Sequence, residues 1–389
     1  MSGRSIGIGI GTGLLMGLTL VAWLAPPEPP PARPLPEDLG RITRVVMQYN
    51  PGADVGLADV GEAVAEVYRQ FLTSVGPGVQ VVWVVGSRRD LDDLRERLRD
   101  AYPTDSRVLV VAKPITTWSK DRFTCLVHEG GAGRAVLVAP ARKAVSNPLR
   151  THDQEVPWRL AAAFGGLFTC RDMLIDFDGG DILATSRGVF VHPAVLSKND
   201  AGDSRFTSAD ALREHVRALL GEVVWLGPAV SDVPPHHVGM FLTVANGKAF
   251  VGDVRLAERL VASHEAELAS ACRRAGGLAD AATRAELARQ LDRIADQLRS
   301  RGLEVVRVPL MPSAAFRAWM SYNNGIVETR DGRTRYWMPT FGMKRLDDAA
   351  AGIFHDAGCE VVHVDCSGIW HLGGSLHCLV NVVARDCGI

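Results

Sequence analysis

Val79-Gln-Val-Val-Trp-Val, Glu222-Val-Val-Trp-Leu, Glu304-Val-Val-Arg-Val and Glu360-Val-Val-His-Val are four near-copies of one short segment. Each follows an amphipathic helical stretch that often closes on a glycine, and such a β-branched run predicts a buried strand. Other segments read as hairpins around Asn246-Gly247 and Asp331-Gly332, dipeptides suited to two-residue turns. Helix, buried strand and hairpin recurring along one chain predict an α/β fold closed on itself, not an open dinucleotide-binding sheet. No G-x-G-x-x-G follows a strand pattern, and the glycine-rich residues 7–13 lie within an apolar run where they cannot cradle a phosphate. Residues 254–301 are long, charged and helical, which predicts a helical hairpin inserted outside the core with its charges on a solvated face.

The chain has 389 residues, 47% hydrophobic and 22% charged, so it is globular and not disordered, collagen-like or coiled-coil. With 43 Lys+Arg against 44 Asp+Glu, its overall charge gives no electrostatic reason for nucleic-acid binding. The N-terminus is different in kind. No charged side chain occurs from Ser5 to Pro27, and Ile6 to Ala25 is long enough to cross a hydrocarbon core as a helix. Residues 1–25 therefore read as a signal peptide or membrane anchor, and bulky Trp23 two residues before Ala25 favours an uncleaved anchor. Arg4 is the one charge before the apolar run, which places the rest of the chain outside the cytoplasm. Residues 26–40 (PPEPPPARPLPEDLG) predict an extended spacer, and residues 41–389 the catalytic body.

Seven cysteines, at 125, 170, 272, 359, 366, 378 and 387, leave at least one thiol unpaired in an extracytoplasmic monomer. None has C-x-x-C spacing and the histidines stand apart from them, so no metal site is expected. Cys378 lies in Trp370-His-Leu-Gly-Gly-Ser-Leu-His-Cys-Leu-Val-Asn, where two glycines allow close backbone approach to a ligand and a following strand carries the thiol to an element's end. It is a candidate nucleophile, and a disulfide with Cys366 or Cys387 is the alternative. Asp178 and Asp181 flank a Gly-Gly pair, suited either to orienting a histidine or to capping a turn. His236 and His237 are adjacent, so alternation lets only one face a site. Thr117-Trp118-Ser-Lys-Asp121 places a carboxylate behind an aromatic that can wall a pocket.

In this order the four elements resemble the guanidine-modifying (pentein) superfamily, which includes the agmatine, arginine and peptidylarginine deiminases, dimethylargininase and the amidinotransferases. The similarity runs from about Arg41 to the C-terminus, with the G-G-x-x-H-C element ending at Cys378 its most specific part. The resemblance implies a five-bladed, pseudo-symmetric α/β propeller of ββαβ-type modules. It assigns Cys378 as nucleophile, His237 as catalytic histidine, Asp178 as its carboxylate partner and Asp121 as the guanidinium anchor, with Trp118 and Asp181 beside the substrate. Lys120 stands where arginine is frequent. One departure concerns Gly239, which occupies the place of a second anchoring aspartate that dimethylargininases also lack.

That resemblance implies a cysteine-dependent hydrolase of a guanidine substrate, an arginine derivative or peptidyl arginine. It works through a covalent amidino-thioether and needs no metal or organic cofactor. A planar cation fits this residue set, because carboxylates recognise its fork of donors by charge-assisted hydrogen bonds. An amidinotransferase sharing the intermediate, or a non-catalytic guanidine-binding protein, would use the same pocket. The expected partners are the small guanidine or an arginine-containing peptide, and a membrane for the N-terminal segment.

Overall fold

The computed structural model describes residues 32–52, 59–128, 133–141, 150–199, 206–315 and 318–387. Pro31–Ile389 forms one compact unit. The expected apolar span Ile6 to Ala25 lies outside the described residues, and among these no helix is long and apolar enough to cross a membrane.

Strands among the described residues form five sheets, and each contains the same unit. An antiparallel pair is followed by helix and then by a third strand parallel to the second. In one sheet Thr124–His128 and Ala135–Ala139 precede helix Val156–Ala163 and strand Phe168–Asp172. In the next, Ile182–Thr185 and Gly188–Val191 precede helix Ala209–Leu220 and Val223–Trp225. Leu242–Ala245 and Lys248–Asp253 lead to Val305–Pro312, and Ile326–Arg330 and Arg333–Thr340 lead to Cys359–Asp365. The remaining sheet takes its antiparallel pair from both ends of the chain. There Val380–Asp386 runs against Arg41–Tyr49, and Gln80–Val85 follows in parallel after helix Gly61–Val75.

Both expected hairpins form. Asn246 and Gly247 have φ of 47° and 75°, and Asp331 and Gly332 have 51° and 73°, the paired positive values of a two-residue turn that matches strand twist. All four look-alike segments are third strands, but their burial differs. Gln80–Val85 and Val305–Pro312 lie inside their sheets and are largely buried, whereas Val223–Trp225 and Cys359–Asp365 are edge strands and stay half-exposed. Residues 254–301 are largely helical, as expected. Helices Val254–Val261, Glu265–Cys272 and Ala281–Ser300 form the crossover that carries Lys248–Asp253 into its parallel partner. The last helix buries Leu287, Leu291, Ile294 and Leu298 at helical spacing, which leaves only its outer face to solvent.

Helix Gly61–Val75 buries Val64, Val67, Tyr68 and Phe71 on one face. Tyr68 packs 5.5 Å from Trp83 of the end-joining sheet, and Phe71 packs edge-on 5.5 Å from Trp337 of the Arg333–Thr340 strand. The Trp337 Nε1–H donates to Ser74 Oγ at 2.8 Å. Burial of each aromatic contributes about 1.5–3 kcal/mol, so this helix holds two sheets together.

The expected spacer boundary at residue 40 falls inside this body. Ala32–Pro34 is a strand paired with Leu126–His128, and the Leu35 N–H donates to the Cys125 carbonyl at 2.9 Å. Proline does not prevent this, because the strand lies at a sheet edge where one side needs no donor. A chain beginning at Arg41 should therefore melt about 5 °C or more below one beginning at Pro31, measured by thermal unfolding. Equal melting would contradict the structural role of residues 32–40.

Candidate active site

Four segments converge. The loop after strand Arg107–Val110 is fixed at Thr116, whose N–H and hydroxyl both donate to the buried Asp153 carboxylate at 2.9 and 2.5 Å. The same loop is laced to the Cys378 turn, since Lys120 N–H donates to the Cys378 carbonyl at 3.2 Å and Ser119 Oγ to the Leu379 carbonyl at 2.6 Å. Asp121 and Cys378 are thus held through adjacent backbone. Cys378 lies on the helical turn Leu376–Leu379 immediately before strand Val380–Asp386, not on the strand. Cys378, Cys366 and Cys387 are all thiols, so the disulfide alternative is not realised.

The glycines serve close packing. A Cβ on Gly374 would lie 2.7 Å from Trp118 Cζ3 and 3.1 Å from Cys378 Sγ, so this glycine lets the indole and thiol both approach the same stretch of backbone. A Cβ on Gly179 would lie 2.1 Å from the Lys120 carbonyl oxygen, and one on Gly180 2.5 Å from the His237 ring. Gly179 N–H donates to the Asp121 carbonyl at 2.8 Å, which joins the Asp178 turn to the Asp121 loop. Asn324 supports the turn's other side. Its Oδ1 accepts from Ser375 N–H and Oγ at 3.0 and 2.8 Å, and its Nδ2 donates to the Gly239 carbonyl at 3.4 Å.

His237 stands between two carboxylates, with Nδ1 3.7 Å from Asp121 Oδ1 and Nε2 3.7 Å from Asp178 Oδ2. Burial alone would lower its pKa, but the Asp121 and Asp178 carboxylates and a hydrogen bond with Cys378 raise it to about 10. His237 is therefore an imidazolium at neutral pH. His236 turns the other way, 4.9 Å from the Trp319 ring, as alternation requires. Burial opposes ionisation of Asp178, yet His237, Lys198 and Arg122 hold its carboxyl well below the usual range.

Every one of these carboxylates has an internal cation. Arg150 Nη1 donates to Asp121 Oδ2 at 2.6 Å, and Arg122 Nη2 lies 3.2 Å from Asp178 Oδ1. Lys198 Nζ reaches Asp178 Oδ2 at 2.9 Å and Asp181 Oδ2 at 2.5 Å. Asp181 Oδ2 also accepts the Asp178 N–H at 2.9 Å, so this side chain fixes the turn. Ligand atoms of Asp178, Asp181 and His237 lie within 4.8 Å of one another and could hold a metal ion, with Lys198 now bonded to both carboxylates. Gly239 faces His377, for a Cβ there would be 3.0 Å from His377 Nδ1. Arg122 directly follows the Thr117–Asp121 motif, but Arg150, Lys198 and Asn324 carry no local signal and become visible only in three dimensions.

Fold and site together define a member of the guanidine-modifying pentein superfamily. The chain belongs to the Porphyromonas-type peptidyl-arginine deiminase family, whose sequence profile matches residues 34–382. It is similar in structure to the agmatine deiminase of Enterococcus faecalis, at 15% identity and a TM-score of 0.63, covering 91% of this chain and 96% of the other. A second structure, provisionally assigned as an agmatine deiminase, gives 15% identity and a TM-score of 0.65 over 91% and 96%. A third, provisionally assigned as a peptidyl-arginine deiminase, gives 12% and 0.62 over 90% and 97%. No curated protein sequence matches the chain significantly. Family membership makes the chain a hydrolase acting on C–N bonds of amidines.

Two glycine substitutions should behave oppositely. Gly180→Ala presses on the His237 ring and should lose about 1–3 kcal/mol in chemical denaturation. Gly352→Ala, in helix Lys344–Asp356 with nothing within 4 Å of its added Cβ, should gain about 0.5–1 kcal/mol. Linkage gives a further expectation. Because the folded pKa of His237 lies above its unfolded value of 6.5, its stabilising effect is complete below pH 6.5 and is lost as pH rises through about 10. The stability gap between the native chain and His237→Asn, followed by urea denaturation across that window, should shrink as pH rises.

Proposed function

We propose that Cys378 is the nucleophile of a guanidine hydrolase whose substrate is an arginine derivative or a peptidyl arginine. The observation that carries this reading is the meeting of Cys378, His237, Asp178 and Asp121, from four distant segments, in one buried cluster. Asp121 already receives a guanidinium, that of Arg150, at 2.6 Å, so the carboxylate is suited to the substrate's planar cation once Arg150 gives way.

The steps follow from the charges. An imidazolium beside the thiol favours its ionised, nucleophilic form. The thiolate attacks the central guanidine carbon, forming a C–S bond and a tetrahedral adduct. His237 passes its proton to the departing ammonia or amine, the C–N bond breaks, and an amidino-thioether remains on Cys378. Neutral His237 then takes a proton from water as the hydroxide adds to the same carbon. Collapse breaks the C–S bond, restoring the thiolate and releasing a ureido product. Asp178 keeps His237 oriented through both half-reactions and stabilises the imidazolium whenever it forms, and Trp118 walls the thiol side.

We read the five sheets as blades of one closed propeller. The support is the pairing of Val380–Asp386 with Arg41–Tyr49, which joins the two ends of the chain. The uncharged run from Ile6 to Ala25 supports an extracytoplasmic body tethered to the membrane by its N-terminus.

Incubating a chain that begins at Pro31 with agmatine, arginine, methylated arginine and a short arginine peptide should yield ammonia or amine plus a ureido product from at least one of them. Cys378→Ala should abolish it, a fall of about 10³-fold or more. Turnover should persist through neutral pH and decline as His237 loses its proton near pH 10. Unchanged turnover in Cys378→Ala would overturn the assignment. Product formed only with an added amine acceptor would indicate the transferase.

A further inference from the structure

We propose that Glu37, from the segment expected to be a spacer, is a positioning residue for the reaction, holding the Asp121 loop and the Cys378 turn in register. This inference rests on the hydrolase reading above for its chemistry, and on geometry alone for its placement. Glu37 Oε1 accepts from Lys120 Nζ at 2.7 Å, and Oε2 lies 2.5 Å from His377 Nε2. Lys120 directly precedes Asp121 and His377 directly precedes Cys378. One carboxylate thus bridges the neighbours of the anchor and of the nucleophile. The side chains of Glu37, Lys120 and His377 are only 18%, 7% and 11% exposed. Little solvent can replace either bond if one partner is lost.

The segment that carries Glu37 is itself fastened to four of the five sheets. Ala32–Pro34 and Leu35 bond to Thr124–His128, and Glu37 N–H donates to the Ala184 carbonyl at 2.8 Å. Asp38 accepts from Ser186 N–H at 2.7 Å, and its carbonyl accepts from Thr329 Oγ1 at 2.8 Å. Arg385, on strand Val380–Asp386, donates to the Leu39 and Gly40 carbonyls. Glu37 is therefore delivered to a fixed point, as a residue that sets the geometry of others must be. It also closes the floor beneath Gly239. The His377 ring that Glu37 orients occupies the space into which a Gly239 side chain would point.

The test uses the full chain and two readouts, one of which needs no substrate. Glu37→Gln keeps the shape but removes the charge that draws Lys120 and His377 together. Its kcat with agmatine or an arginine peptide should fall about tenfold or more with KM changed less than about twofold, because the distal parts of the pocket are untouched. Alkylation of Cys378 by iodoacetamide at fixed pH should change rate by a similar factor, and Glu37→Asp should recover part of both. Wild-type kcat and wild-type alkylation in a folded Glu37→Gln protein would overturn the proposal. Should that variant fail to fold, Lys120→Met and His377→Gln each break one arm of the bridge and must reproduce the effect for the proposal to stand. If the native chain turns over none of agmatine, arginine, methylated arginine and the arginine peptide, the hydrolase reading falls, while the alkylation comparison still decides whether Glu37 positions the thiol turn.

Discussion

Charge buried without a partner is too costly to keep, and this constraint organises the centre of the molecule. Asp121, Asp178, Asp181 and Glu37 are brought out of water, and each has a cation: Arg150, Arg122 with Lys198, Lys198, and Lys120. His237 shares two of these carboxylates and is held protonated by them. The cations come from segments remote in sequence, so satisfying the carboxylates draws distant parts of the chain together. An imidazolium next to a thiol then follows from packing, before any substrate arrives.

Close approach is the second requirement, and glycine supplies it. Gly179, Gly180 and Gly374 stand where a methyl group would strike the Lys120 carbonyl, the His237 ring and the Trp118 indole. Their role is to let protein elements touch one another. With those contacts made, the Asp121 loop, the Asp178 turn, the His237 turn and the Cys378 turn form one hydrogen-bonded unit. The unit lies where the last strand returns to pair with Arg41–Tyr49, so the placement of Cys378 depends on these first and last strands meeting. A site of this kind is rigid because its supports belong to several sheets at once.

Much of this was legible in the sequence, and for physical reasons. The Asn246-Gly247 and Asp331-Gly332 turns need positive φ at two successive residues, which few dipeptides accept, so those hairpins announce themselves. The β-branched third strands repeat because each meets the same helix-to-sheet environment. Phe168–Asp172 escaped the pattern, since Phe-Thr-Cys-Arg-Asp shows no such run although its place in the fold is equivalent. Cys378, His237, Asp178 and Asp121 could be singled out because each sits in a short local motif. Glu37, Arg150 and Lys198 were not, because an ion pair across 340, 29 or 20 residues leaves no local spacing to read. The proline-rich composition before residue 40 misled for a related reason. Composition describes a free chain's preference, whereas nine residues here are held by bonds to four sheets.

The central claim is that Cys378 carries the amidino group between two half-reactions. Rapid acid quench during a single turnover, followed by mass spectrometry of the peptide that contains Cys378, tests it most directly. The account predicts an adduct on that thiol, of the mass of the substrate less the departing ammonia or amine, which rises before the ureido product and decays as that product appears. Product accumulating with Cys378 unmodified at every time, or with the adduct on another residue, would contradict it.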